Sequence, residues 1–153
     1  MKRTELPRAE ALCAQYLDRT QRVLAAVSGG ADSMCLLYFL REQGYDVSCA
    51  HFNHQLRGAE AARDENFVRA WCEKEGIPFY PGTGDVRAHA RATGKTEEEA
   101  GRDLRYAFLR ETAKSLGAQI ALAHHLDDNA ETVLLNLVRG TDLRGLCGMR
   151  PRQ

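Results

Sequence analysis

The sequence predicts an α/β fold: a doubly wound, mostly parallel sheet of four to five strands with helices on both faces. Three observations carry this. Short apolar runs alternate with longer amphipathic segments, the pattern of βαβ units. The first run ends at Ser28-Gly29-Gly30 and passes directly into a strongly apolar segment of helical length. Polar clusters at residues 28–33, 51–57 and 124–128 each follow an expected strand. They therefore belong at the carboxyl ends of strands, where such sheets bind ligands near the reversal of strand order. Right-handed crossovers are expected throughout.

In chain order, residues 5–22 read as a helix with Leu6, Leu12, Tyr16 and Leu17 on its apolar side. Residues 23–27 form the first strand. Asp32 opens the next helix, whose apolar residues 34–40 are followed by Gly44. Residues 47–52 form the second strand. Residues 59–75 form a helix with Phe67, Val68, Trp71 and Cys72 on one stripe, stopped by Gly76. Residues 77–80 give a short third strand flanked by Pro78 and Pro81. The stretch 82–94 reads as a loop with a short helix at 86–92. Thr96 with Glu99 makes a capping box that starts a helix bearing Ala100, Leu104, Ala107 and Phe108, with Gly117 as its C-cap. Residues 120–123 form the fourth strand. Asp127 or Asp128 caps a last helix with Ala130, Val133, Leu134, Leu137 and Val138 inward, ended by Gly140. Residues 141–153 show no clear element. A chain of 153 residues suits one domain with one core.

The glycine turn sets the chemistry. Strand, glycine turn and helix N-terminus together direct backbone N–H groups and the positive end of a helix dipole at an anion. Neither Gly-x-x-x-x-Gly-Lys-Ser/Thr nor Gly-x-Gly-x-x-Gly is present, and an acid, Asp32, follows the glycines instead of a lysine. A carboxylate beside phosphates needs an intervening cation, so Asp32 points to a Mg²⁺ ligand. Simple capping of the helix by Asp32 is the competing reading.

Composition narrows the class. Lys+Arg 21 balance Asp+Glu 21, a poor match to a free-standing nucleic-acid binder, which carries a basic excess. There is no apolar run of about 20 residues, hence no expected membrane span. The stretch MKRTELPRAE lacks the apolar core of a signal peptide, so a cytoplasmic location is expected. Cys13, Cys35, Cys49, Cys72 and Cys147 contain no Cys-x-x-Cys pair, which points to reduced, mostly buried thiols.

Three further clusters carry polar groups. His51 and His54 have the spacing of a metal pair but no third ligand is placed by sequence. They and Asn53 either finish a strand or line a nucleotide pocket beside the glycine turn. Glu98 and Arg102 form an i,i+4 pair, while Arg102 and Arg105 share a helix side and suit the phosphates of ATP or RNA. Residues 124–132 bring His124, His125, Asp127, Asp128 and Glu131 to the end of the fourth strand, where capping explains only some of the acids.

The run SGGADS at residues 28–33 resembles the SGGxDS loop of the PP-loop, or N-type, ATP pyrophosphatases, Rossmann-like enzymes that cleave ATP between its α- and β-phosphates. With HxxHxLRG at 51–58, ExxxRxxRY at 98–106, HHxxDxxET at 124–132 and RGxxLRGLxGM at 139–149, the chain resembles tRNA(Ile)-lysidine synthetases from about residue 22 to 149. That resemblance implies an ATP-dependent carbon–nitrogen ligase. ATP adenylylates the C2 oxygen of the wobble cytidine in the isoleucine tRNA with a CAU anticodon; lysine then displaces AMP. It implies ATP binding by Ser28, Gly29, Gly30, Ala31, Asp32, Ser33, His51 and Asn53. It implies catalytic roles for Asp32, Arg102, Arg105 and Asp128, lysine recognition by Asp128 and Glu131, and Mg²⁺ held by Asp32 and Asp127.

The chain departs from the family at Gly101, often Ala, and at Asn129, often Gln. It also stops at Gln153, where family members continue into tRNA-binding domains. The expectation is a catalytic domain incomplete at its C-terminus, whether as an isolated domain, a truncated product or a short homologue. It would take ATP, Mg²⁺, free lysine and tRNA, and would need the further domains for tight tRNA binding. The oligomeric state is open, a homodimer among the options. The rival readings are a PP-loop tRNA thiolase, which commonly uses the cysteine pairs this chain lacks, and a non-catalytic ATP-binding domain.

Overall fold

The computed structural model describes residues 6–55 and 59–123. The helix predicted after Asp127 or Asp128 and the tail lie outside them. The described elements are α1 (Leu6–Tyr16), β1 (Val23–Ala26), α2 (Ala31–Glu42), β2 (Val47–Asn53), α3 (Ala59–Glu75), β3 (Phe79–Thr83), α4 (Val86–Thr93), α5 (Glu97–Leu116) and β4 (Gln119–Leu122). The unit that holds the glycine turn spans Leu17–Leu122. Helix α1 is not part of that unit.

The predicted first helix runs to residue 22, but α1 stops at Tyr16. Asp18 explains the early stop. Its carboxylate accepts from the Thr20 backbone N–H at 2.8 Å and from the Thr20 hydroxyl at 2.7 Å. A short side chain that bonds the backbone two residues on offers the chain a turn in place of a helix. Those same bonds from Thr20 hold the Asp18 carboxyl below its ordinary range.

Four parallel strands make one sheet in the order β3-β2-β1-β4. Val23 pairs with Val47 on one side and Gln119 on the other, so β1 lies between β2 and β4. Helices cover both faces. Leu24, Ala26, Ala50, Tyr80, Ile120 and Leu122 pack with Phe108, Leu109, Ala113 and Leu116 of α5. The alternate residues face α3, where Cys49 meets Cys72 and Arg69 lies over the Phe79 ring at 4.6 Å. This is the period-two alternation of a strand. Right-handed crossovers put α2 and α3 on one face and return α4 and α5 across the other. Leu24, Leu37, Leu40 and Leu109 are wholly buried, each contributing about 1.5–3 kcal/mol by removal from water.

The third strand is shifted toward the C-terminus of its predicted range and contains Pro81. It lies at the edge of the described sheet, where a residue without a backbone N–H is tolerated. Gly82 in this strand has no room for a side chain, because a Cβ there would lie 2.6 Å from the Phe108 ring.

Two helical stripes need correction. Phe67 is 54% exposed, while Val68 and Cys72 are wholly buried and Trp71 is partly covered. Helix α3 meets the sheet along the Val68–Cys72 ridge, and the Phe67–Trp71 ridge sits about 100° around it. Ala107 of α5 is exposed for the same reason, and Leu109 and Ala113 face inward instead. The capping box is as expected: the Thr96 hydroxyl accepts from the Glu99 N–H, and the Glu99 carboxylate accepts from the Thr96 N–H. Gly117 follows with φ +60 as the C-cap.

Of the described cysteines, Cys49 and Cys72 are buried, Cys13 is half-buried and Cys35 is exposed. The expectation of mostly buried thiols therefore fails at Cys35, which lies on the outer side of α2. The neighbouring Cys72 thiol and burial push Cys49 well above the ordinary thiol range.

Candidate functional site

Strand β1 has β2, its successor in the chain, on one side and β4 on the other. Strand order therefore reverses at β1 and β4, and the crevice outside their carboxyl ends is the expected ligand position. The turn at residues 28–33 leaves β1 at that point.

Ser33 holds the turn in shape. Its hydroxyl donates to the Gly30 carbonyl at 2.9 Å and accepts from the Ser28 N–H at 3.1 Å. The Ser28 hydroxyl lies 3.2 Å from the same oxygen and accepts from the Gly30 N–H at 3.3 Å. Ser33 is buried. Gly29 is doubly constrained. Its φ is +94, and a Cβ there would lie 3.2 Å from the Asp64 Cβ. Gly30 is the N-cap of α2 and makes no side-chain cap bond. Asp32 is exposed in the first turn of α2, one residue inside Ala31. The N-cap role considered for Asp32 therefore belongs to Gly30. A first turn without a side-chain cap, preceded by two residues that lack Cβ, fits an anion.

His51 fixes the turn from the neighbouring strand. It is 4% exposed, and its Nδ1 donates to the Val27 carbonyl at 2.8 Å. A carbonyl only accepts, so Nδ1 carries the proton in this bond.

The alternation of β2 splits the polar cluster at its carboxyl end. Asn53, like His51, faces α3, where its amide donates to Glu65 at 3.3 Å. Glu65 also pairs with Arg69 at 2.8 Å. Burial acts to raise Glu65, but the bonds from Asn53 and Arg69 outweigh it and hold the carboxyl below its ordinary range. The Asn53 side-chain Oδ1 accepts from the Gln55 N–H at 2.9 Å and shapes a turn in which Gln55 takes φ +55.

Phe52 and His54 face α5. Phe52 lies 5.7 Å from Phe108 and 5.0 Å from His54, ring to ring. His54 is half-buried, and burial, then Arg105, then His51, hold it below the ordinary histidine range. Gly101, one of the departures noted above, lets His54 approach: a Cβ there would lie 3.1 Å from His54 Nδ1.

Arg102 and Arg105 both lie beside Tyr106. Their guanidinium carbons lie 5.5 and 5.3 Å from the centre of the Tyr106 ring. Arg105 Nε is buried and has no hydrogen-bond partner among the described residues. Asp64, Glu65 and Arg69 escaped the sequence reading. Glu65 and Arg69 look like an ordinary exposed i,i+4 pair, and nothing local marks Asp64 as a neighbour of Gly29. Asp127, Asp128 and Glu131, with His124 and His125, lie outside the described residues. Among the described residues, no group of three or more His, Cys, Asp or Glu is placed to hold a metal ion. No helix among them is long and apolar enough to cross a membrane.

Comparison with known proteins agrees with this geometry. The PP-loop domain family matches residues 3–153. The tRNA(Ile)-lysidine synthase of Bacteroides thetaiotaomicron is 46% identical over 132 residues, 86% of this chain and 31% of that protein. That of Parabacteroides distasonis is 45% identical over 139 residues, covering 90% and 32%. That of Clostridium acetobutylicum is 40% identical over 140 residues, covering 88% and 30%. The chain thus spans about a third of the length of these relatives. Among solved structures, the U34-tRNA thiolase NcsA from Methanococcus maripaludis, with its [4Fe-4S] cluster, is similar with a TM-score of 0.73 and 19% identity. That match covers 94% of this chain and 53% of the thiolase, and it speaks for the fold. With a family match across nearly its whole length, and the glycine turn set at the strand-order reversal, this chain belongs to the PP-loop domain family.

Proposed function

We propose that this chain provides the ATP-dependent ligase chemistry of a tRNA(Ile)-lysidine synthase. ATP transfers its adenylyl group to the C2 oxygen of the wobble cytidine in CAU-anticodon isoleucine tRNA, releasing pyrophosphate. The amine of free lysine then attacks C2, forms the carbon–nitrogen bond and expels AMP. A cytoplasmic location goes with a tRNA substrate.

The observation that carries the reading is the turn at residues 28–33, knitted by Ser33 and opening on an α2 first turn without a side-chain cap. Ser28, Gly29, Gly30, Ala31 and Ser33 form the turn that receives the departing pyrophosphate, with the backbone N–H groups of the α2 first turn as donors. Mg²⁺, when bound, neutralises phosphate oxygens, and Asp32 would hold it together with Asp127. The exposed carboxylate of Asp32 in the α2 first turn fits such a cation. His51 keeps the end of β1 in place, and His51 and Asn53 line the nucleotide pocket. Arg105, whose buried Nε has no partner among the described residues, and Arg102 steady phosphate charge as it develops. Asp128 and Glu131 recognise the ammonium of lysine.

The experiment is an assay of AMP and pyrophosphate with lysine and tRNA each present or omitted, run on this chain and on a protein of its relatives' full length. AMP formation that needs both substrates supports the reading. Sulfur transfer to tRNA would make the protein a thiolase. ATP binding without turnover in either protein would leave a nucleotide-binding domain only.

A further inference from the structure

We propose that the outer flank of α5, built from Arg102, Tyr106 and Arg110, is a docking surface for a single-stranded segment of RNA. This rests on the reading above in one respect, that the partner is an RNA. Arg102 and Arg105 are expected at phosphates, and that expectation includes no role for Tyr106 or Arg110.

Three guanidinium groups surround one aromatic ring. Arg102, Arg105 and Arg110 lie 5.5, 5.3 and 5.9 Å from the centre of the Tyr106 ring. Arg102 and Arg110 are exposed, and Tyr106 is half-buried. Their spacing is i, i+4, i+8, so they form one stripe along the helix, about 12 Å from first to last at 1.5 Å per residue. None of these arginines forms an ion pair with a carboxylate among the described residues, although Glu98, Asp103 and Glu111 share the helix. Asp103 is bonded by Lys95 and faces His89 at 4.0 Å, with Arg102 acting on it only at longer range. Among the described residues, three guanidinium groups without a salt bridge thus gather at one ring, although Asp103 still acts on Arg102 through space.

The mixture of types selects the partner. Guanidinium groups bind phosphate oxygens in pairs of hydrogen bonds and also stack on flat rings. An aromatic ring among cations is the arrangement that takes unstacked bases beside a backbone track. The stripe also starts in the right place. Gly101, next to Arg102, packs against His54 just beyond the carboxyl end of β2, the edge of the sheet where the glycine turn lies. From there α5 runs back toward β4, which begins three residues after Leu116. An RNA strand whose base reaches the site has its neighbouring phosphates along this flank.

The test uses the 153-residue chain and a short hairpin RNA with a CAU loop, with dissociation constants measured at several salt concentrations and Mg²⁺·ATP affinity measured in parallel. Arg110→Gln and Tyr106→Leu are the variants, with Arg110→Lys as the charge-retaining control. The expected result is RNA binding weakened about five- to tenfold by Tyr106→Leu, a salt slope reduced by about one in Arg110→Gln and kept in Arg110→Lys, and ATP affinity unchanged. RNA binding equal to the parent's in both variants, or no measurable RNA binding by the parent at low salt, overturns the proposal. Loss of ATP affinity with RNA affinity intact also overturns it and assigns the stripe to the nucleotide. A chain that binds RNA through this stripe but never joins lysine to tRNA leaves the docking surface standing and removes the proposed activity instead.

Discussion

His51 Nδ1 lies 2.8 Å from the carbonyl oxygen of Val27, joining the carboxyl ends of β1 and β2 at the first residue before the glycine turn. The bond is buried and spans 24 residues of sequence. It ties the anion-binding turn to the next strand by a side chain as well as by the sheet ladder, in which the Val27 N–H donates to the Ala50 carbonyl at 2.8 Å. Removing it strips a buried carbonyl of a partner. His51→Leu is expected to destabilise the fold by about 1–3 kcal/mol in chemical denaturation and to weaken Mg²⁺·ATP binding. His51→Asn, which can still donate, recovers part of both. ATP affinity equal to the parent's in His51→Leu would remove the positioning role.

Asp32→Ala is expected to weaken Mg²⁺-dependent ATP binding while the melting temperature holds. Gly30 supplies the N-cap of α2 and Asp32 is exposed, so the fold does not depend on Asp32 as a cap. Calorimetry with and without Mg²⁺ reads the difference. Equal Mg²⁺·ATP affinity in the two proteins would end the case for a metal-binding Asp32.

His54 gives stability a pH dependence. Burial, Arg105 and His51 depress its folded value below the ordinary 6.5. The unfolded chain therefore binds the proton more readily than the folded one. The contribution is complete above the ordinary value, and it is lost as pH falls toward and through the depressed folded value. Denaturation midpoints should fall on acidification from about pH 7.5 to 5, and His54→Gln should flatten part of that fall. A slope unchanged by the substitution contradicts the assignment.

Glu131→Gln, in a protein of the relatives' length, is expected to raise the Michaelis constant for lysine more than that for ATP. Loss of one charge-assisted hydrogen bond amounts to about 1.5–3 kcal/mol, roughly ten- to a hundredfold. Steady-state kinetics with each substrate varied separately, beside a melting curve, reads the effect. A lower melting temperature with lysine dependence intact would reduce Glu131 to a helix-capping acid.

Much of the described chain was legible because it is written in local chemistry. Thr96 and Glu99 are three residues apart and cap each other, so the start of α5 follows from sequence. Gly117 ends it for an equally local reason. The glycine turn and its anion-binding character follow from Ser28, Gly29 and Gly30 against the apolar strand before them. By contrast, the helix predicted through residue 22 ends at Tyr16, and Asp18 bonds Thr20 in a turn just beyond it.

What the sequence by itself determined is the order and type of the elements and the residues of the glycine turn, since both depend on neighbours a few positions away. Tertiary structure alone decided which residues meet across long separations. It turned Phe67 outward because α3 lies on the sheet along Val68 and Cys72. It admitted Pro81 to a strand because β3 is at the described sheet's edge. It sent His51 to the Val27 carbonyl and His54, just past the end of β2, toward Arg105, although the two are three residues apart in the chain. It brought Asp64 to Gly29. Side chains alternate across a strand and rotate about 100° per residue around a helix, so a partner is chosen by what packs on that face. No local pattern contains that choice.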